Sequence, residues 1–185
     1  MNTEQQIALL RGINVGRAKR VAMADLRKLV SDLGYTDVCT VLNSGNVVFG
    51  GATVPPAESA TRIEEALVLK LGVAARATVL CADQFGDIIN ENCLDALADD
   101  PSRLLVSVLN DPADMSKLKP LLKQDWAPEA FAAGKWAAYV WCPGGVLASR
   151  AASTMGTLLG DAVTSRNWST MSKLYAVLKG QPATV

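Results

Sequence analysis

The sequence predicts an α+β protein made of two similar halves, and three observations predict it. Short β-rich runs alternate with longer stretches of helical periodicity. Over residues 6–81 these follow the order strand, helix, strand, strand, helix, strand, and a comparable alternation restarts at Leu104 after an acidic stretch. The chain has 185 residues, half of them apolar, with 18 Lys and Arg set against 18 Asp and Glu. That composition supplies material for a folded core in each half and excludes a disordered chain.

Each element has a local reason. Residues 6–10, Gln-Ile-Ala-Leu-Leu, form a short apolar run stopped by Arg11-Gly12, the pattern of a buried strand. Met23, Leu26, Leu29, Val30 and Leu33 then recur at helical spacing, with Gly34 where a C-terminal cap belongs. Two β-rich runs, 38–43 and 46–49, flank Ser44-Gly45 and predict a tight two-residue hairpin. Pro55-Pro56 opens a second helix with Ile63, Leu67 and Leu71 on one face and Gly72 at its end, before a fourth strand over Ala77–Cys81. This βαββαβ order is that of the ferredoxin-like split βαβ unit, which closes as a four-stranded antiparallel sheet with both helices on one face.

From Asp83 to Asp100 there are six acids and no Lys or Arg, while Phe85, Ile88 and Ile89 supply an apolar face; a linking helix and an acidic loop are predicted. The second half then reads as a strand over Leu104–Leu109, a helix over Asp114–Leu122, a short strand within 128–133 and a strand over Ala137–Cys142. Ser149–Leu159 reads as a helix or an irregular turn. A final helix is capped by Asn167, carries Met171, Leu174, Tyr175 and Leu178 as its apolar stripe, and ends at Gly180. The expected organisation is 1–82 as a first ferredoxin-like half, 83–101 as the acidic linking helix and loop, and 102–185 as a second, duplicated α+β half.

Composition excludes much chemistry. The chain has no histidine, which removes imidazole-based triads, His-ligated zinc and haem, and a histidine pH switch. Cys39, Cys81, Cys93 and Cys142 form no C-x-x-C pair; they are expected to be packing residues, with Cys93 and Cys142 the ones open to exposure. The order of the acids in 83–100 does not match a calcium loop, so no metal and no cofactor is assigned. Asp25, Asp37 and Glu129 are unpaired in sequence, Tyr139 and Tyr175 read as core-edge aromatics, and no residue identifies a general base. The sequence therefore assigns no reaction. No signal peptide and no apolar run of roughly 18 residues is evident, which places the protein in the cytoplasm with no membrane partner.

Three segments are candidates for a site. Arg11-Gly12-Ile13-Asn14-Val15-Gly16, followed by Arg17, Lys19 and Arg20, combines exposable backbone N–H groups with cationic side chains and suits a phosphate or carboxylate; its bland alternative is a strand-to-helix loop with solvated charges. Asn43-Ser44-Gly45-Asn46 carries turn chemistry that is structural by default. Ser165-Arg166-Asn167-Trp168-Ser169-Thr170, with Lys173 one turn on, reads as an anion-receiving helix start whose Trp168 is placed to stack on a flat ring, or as a capped helix whose Trp168 fills the core.

Taken in order, Ile7 to Gly16, Met23-Ala24-Asp25-Leu26, Ser44 to Phe49, and Arg166 to Thr170 with Lys173-Leu174 resemble the bacterial family catalogued as domain of unknown function 1697. The resemblance runs along the whole chain and implies a duplicated ferredoxin-like α+β fold. It also implies that Arg11, Gly12, Asn14, Gly16, Ser44, Gly45, Asn46, Arg166, Asn167, Trp168, Thr170 and Lys173 are signature positions, and it supplies no reaction. The sequence departs from the family pattern at Asn92-Cys93-Leu94, where Asn-Pro-Phe is usual.

The resulting expectation is a small anionic, phosphate-bearing ligand or nucleotide bound in a cleft between the halves, with Arg11 and Arg166 holding the charge and Asn14, Ser44, Asn46 and Thr170 orienting it. A structural role, in which the motifs hold the halves together, is the competing reading. An RNA-binding module is disfavoured: residues 11–28 carry six basic residues against one acid, but the net charge is zero and stacking aromatics are missing from the strands.

Overall fold

The structure, a computed structural model, describes residues 5–14 and 20–182. The chain divides into two compact units, Met1–Phe85 with Lys173–Val185 and Gly86–Ser172. The division falls inside helices α3 (Ala82–Asn90) and α5 (Trp168–Leu178), where the sequence reading placed boundaries after residues 82 and 101.

The first unit holds a four-stranded antiparallel sheet in the order β2-β3-β1-β4, formed by β1 (Gln6–Arg11), β2 (Thr36–Val41), β3 (Asn46–Gly50) and β4 (Arg76–Cys81). Side chains alternate across a strand, so Ala8 and Leu10 of β1 share a face with Val47 and Phe49 of β3. That face meets Leu26, Leu29 and Val30 of α1 (Met23–Asp32) and Ile63, Ala66 and Leu67 of α2 (Pro56–Leu71), which the helical spacing had placed on one stripe of each helix. The Tyr35 ring lies 4.5 Å from that of Phe49, and its hydroxyl donates to Ser59 Oγ at 2.8 Å, so both buried hydroxyls are satisfied inside the core.

The hairpin differs from the expected two-residue turn. Four residues, Leu42–Gly45, connect β2 to β3, and the last paired residues are Val41 and Asn46. The cause is side-chain competition: Asn46 Nδ2 donates to Val41 O at 2.9 Å, and Asn43 O accepts from Asn14 Nδ2 at 3.0 Å, which withdraws Asn43 from the ladder.

The second unit holds a sheet in the order β6-β7-β5-β8, again antiparallel, from β5 (Leu104–Leu109), β6 (Ala130–Ala133), β7 (Ala137–Trp141) and β8 (Val163–Asn167). Its core joins Leu109, Leu118, Leu121, Trp126, Ala138, Val140 and Cys142 to Ala151, Met155 and Leu159 of α4 (Arg150–Leu159). Trp126 meets the polar demand of its indole by donating to Leu121 O at 2.9 Å.

Two expectations are corrected here. The helix expected over 114–122 is a pair of 3-10 turns, Pro112–Leu118 and Leu121–Lys123, and Pro120 between them has no N–H to give to a continuous helix. The polar run 163–167, expected as the approach to the last helix, is strand β8; pairing with the apolar central strand β5, from Leu105 opposite Asn167 to Leu109 opposite Val163, overrides its weak β character. The two sheets share one strand order, and the first crossover of the second unit lacks the α-helix of the first.

The acidic stretch is used as well as solvated. Asp87 Oδ2 accepts from Trp136 Nε1 at 3.3 Å and Glu91 Oε2 from Lys135 N at 2.8 Å, both at the β6–β7 turn, while Tyr139 donates to Ile88 O at 2.7 Å. Burial raises the Tyr139 phenol far above its ordinary titration range, with the charge of Glu91 adding to the effect. Tyr139 is thus fully buried, not at the edge of the core.

Two glycines make opposite predictions. Gly45 has φ +76°, and a Cβ there would lie 2.5 Å from Ile13 Cδ1 and 2.8 Å from Leu10 Cβ, whereas Gly86 is interior to α3 with nothing within 4 Å of a Cβ. Gly45→Ala is expected to cost about 1–3 kcal/mol and Gly86→Ala to add about 0.5–1 kcal/mol, read as shifts of the urea midpoint at unchanged slope.

Candidate functional site

The first signature is a corner where the end of β1 meets the β2–β3 turn. Antiparallel pairing of β1 with β3 brings Leu9 opposite Asn46, and Leu10 N donates to Gly45 O at 2.8 Å, so the end of β1 and the hairpin turn are adjacent. Asn14, at φ +54°, closes the corner with its amide. Nδ2 donates to Val21 O and to Asn43 O, each at 3.0 Å, and Oδ1 accepts from Val21 N at 2.8 Å. Asn46 is fully buried, with Nδ2 shared between Val41 O and Ser44 Oγ at 2.9 and 3.2 Å. These amides have framework duties, which leaves Arg11, the Gly12 backbone and Ser44 as the exposed members of the signature. Gly16 lies outside the described residues.

Arg11 has a neighbour that the sequence did not reveal. It stands directly opposite Arg76 in the β1–β4 register, and both are exposed. Arg76 reaches Glu64 Oε2 at 3.2 Å, while the other oxygen of Glu64 accepts from Ala77 N at 2.8 Å. That end of the sheet thus carries two guanidinium groups, with Glu64 paired to Arg76.

The second signature sits where β8 runs into α5. Asn167 caps the helix: Oδ1 accepts from Thr170 N at 2.9 Å and from Thr170 Oγ1 at 2.7 Å, and Thr170 is itself buried. Trp168 is buried and belongs to the core. Arg166 Nη1 donates to Ser165 O at 2.8 Å; loss of solvent pushes its pKa down to about 10, so its charge is held in a poorly hydrated place. Lys173 follows on the same helix, half-exposed. Of the twelve signature positions, the eleven among the described residues fall into two groups, one at the end of β1 with the β2–β3 turn and one where β8 runs into α5.

A family model described as Protein of unknown function (DUF1697) matches residues 3–139. The chain belongs to this family. Among solved structures it is similar to the conserved bacterial protein SP0830 from Streptococcus pneumoniae, at 21% identity over 95% of this chain and 98% of that one, with a TM-score of 0.76. That likeness shows a shared fold. No curated protein matches.

This DUF1697 member also carries a polar cluster that its sequence motifs did not announce. Glu129, just before β6, places its carboxylate on the start of α4. Oε2 accepts from Ser149 Oγ at 2.5 Å and Ala151 N at 3.0 Å, and Oε1 accepts from Arg150 N at 3.0 Å. Burial alone would raise its pKa, but the hydrogen bonds from Ser149, Ala151 and Arg150 outweigh it and hold the carboxyl below its ordinary 4.5. Beside it lies a cavity of about 140 Å³ whose lining includes Cys142, Gly144 and Ser149. Cys142, expected to be a candidate for exposure, is buried, and desolvation raises its thiol pKa against the opposing hydrogen bond of Ser149. Cys93 is exposed, and Cys39 and Cys81 are half-buried. The separation of 20 positions between Glu129 and Ser149 explains why no local spacing betrays the pair. Among the described residues no cluster of three or more Cys, Asp or Glu could hold a metal ion, and no helix is long and apolar enough to cross a membrane.

Two measurements follow. Asn14→Ala is expected to cost about 2–3 kcal/mol in urea unfolding, and Asn14→Asp at least as much, since it turns a carboxylate oxygen toward the carbonyls of Val21 and Asn43. For Glu129, a folded-state pKa below the unfolded one contributes stability that is fully present above the unfolded value and is lost as pH falls through the folded one. The stability gap between the native protein and Glu129→Gln is therefore expected to narrow below pH 4.5, checked by urea unfolding across the acid range.

Proposed function

We propose that this DUF1697 protein binds a small phosphate-bearing ligand at the loop end of its first sheet, with Arg11 as the principal charged contact. The observation that carries this reading is the register that sets Arg11 directly opposite Arg76. Two guanidinium groups thus stand at one end of the sheet, and an exposed guanidinium gives an oxyanion paired hydrogen bonds. The sequence adds Arg17, Lys19 and Arg20 to the same loop, and Gly12 leaves its backbone free of a side chain. Gly16 and Ser44 complete the proposed contact set, while Asn14, Gly45 and Asn46 shape the corner. Along α5 and the end of β8, Arg166 and Lys173 are the candidate charges, with Asn167, Trp168 and Thr170 as their supports. The common strand order of the two sheets supports reading the units as a duplicated ferredoxin-like pair.

A structural role for the signatures is the second reading, favoured by the way the Asn14 and Asn167 side chains are spent on backbone groups.

A thermal-shift screen with inorganic phosphate, nucleotides, sugar phosphates and small carboxylates separates the two. A ligand at 100 times its dissociation constant adds about 2.7 kcal/mol to stability. The expected result is a shift with a phosphate-bearing compound that Arg11→Ala loses while keeping its own melting temperature. No shift with any compound, together with an Arg166→Ala variant destabilised by about 3–5 kcal/mol, would leave the structural reading standing.

A further inference from the structure

We propose that the cavity of the second unit is a binding site for a small protonated primary amine, held by Glu129 and independent of the anion site proposed above. The cavity is lined by Pro128, Glu129, Cys142, Gly144, Ala148 and Ser149 among others, all within one unit. At about 140 Å³ it is close to the roughly 150 Å³ that accommodates a benzene-sized guest. Cys142 and Ser149 are buried at its floor, and Pro128, Gly144 and Ala148 are exposed at its rim.

The hydrogen-bonding inventory decides the class of guest. The Ser149 hydroxyl proton is committed to Glu129 Oε2, the backbone N–H groups of Arg150 and Ala151 to the same carboxylate, that of Ala152 to Ser149 Oγ, and the Cys142 thiol points to Val140 O at 3.5 Å. Gly145 N is taken by Cys142 O at 2.8 Å. The lining side chains therefore have their donors occupied, and what they retain is acceptor capacity, chiefly the second lone pair of Glu129 Oε1. A lining whose one charged side chain is a carboxylate with a spare lone pair, between proline and alanine walls, complements a compact donor cation with a short apolar tail. It repels an anion, and a single spare carboxylate oxygen is too few ligands for a divalent metal. The neighbouring cation Arg150 does not fill the place: its Nη2 donates to Asp125 O at 3.1 Å and its guanidinium lies 5.3 Å from the Trp126 ring.

The glycines fit an open mouth. Gly145, at φ +91°, is required by the turn after Cys142, but Gly144 needs no such conformation, and nothing lies within 4 Å of a Cβ placed there. The fold tolerates a side chain at Gly144; the cavity entrance is what a larger residue would close.

The test titrates the full chain with propylammonium chloride at constant ionic strength, beside sodium chloride and 1-propanol, and reads the melting temperature. The expected result is a saturable rise of roughly 5–10 °C at about 100 times the dissociation constant. Propylammonium alone should give it, and Gly144→Val should lose it while melting at the native temperature without amine. Retention of the rise in Gly144→Val would overturn the site. An equal response to 1-propanol would overturn the role of Glu129, and no saturable response to propylammonium would overturn the proposal itself. Should Gly144→Val prove unstable, Ala148→Leu closes the same rim and carries the same expectation.

Discussion

The amide of Asn14 is the constraint on which the first unit's functional end depends. With three hydrogen bonds it does three things at once: it closes the loop between residues 14 and 21, fixes the direction in which the chain enters α1, and draws the β2–β3 turn toward the end of β1 through Asn43. Each bond contributes about 1 kcal/mol net, but leaving the same backbone groups unpaired costs more. The corner then forbids a side chain at Gly45, where Ile13 and Leu10 already fill the space. Arg11 inherits its position from this arrangement: it is the last residue of a strand whose far end is held on both sides.

Much of this was legible in sequence, and the exceptions are physical. The first unit was readable because its apolar spacing, turn residues and caps agree with one another: Leu26, Leu29 and Val30 form the stripe of α1, and Pro56 and Gly72 bracket α2 as propensity dictates. The turn length was misread because a two-residue Ser44-Gly45 loop is the local preference, and only the distant Asn14 shifts closure to Val41 and Asn46. In the second unit Pro120 breaks a pattern whose leucines look helical, and β8 is a strand by virtue of its neighbour, with only Val163 and Thr164 buried.

The candidate site shows a different limit. Asn, Gly and Ser are chosen both for turns and for ligand contacts, so the signatures mark junctions of the fold without separating framework from contact. Asn46 and Asn167 proved to be bonded within the fold, while the opposition of Arg11 and Arg76, 65 positions apart in the chain, exists only once β1 and β4 pair. The acids of 83–100 are a similar case: they read as a solvated run, yet Glu91 receives the β6–β7 turn so closely that a Cβ at Gly134 would overlap its carboxylate.

The first unit is discontinuous along the chain: its four strands are complete at Cys81, while its last segment begins at Lys173. During synthesis about 90 residues separate the two, which at 5–20 residues per second is an interval of roughly 5–20 s. The first unit thus receives its last segment only after the whole of the second has been made.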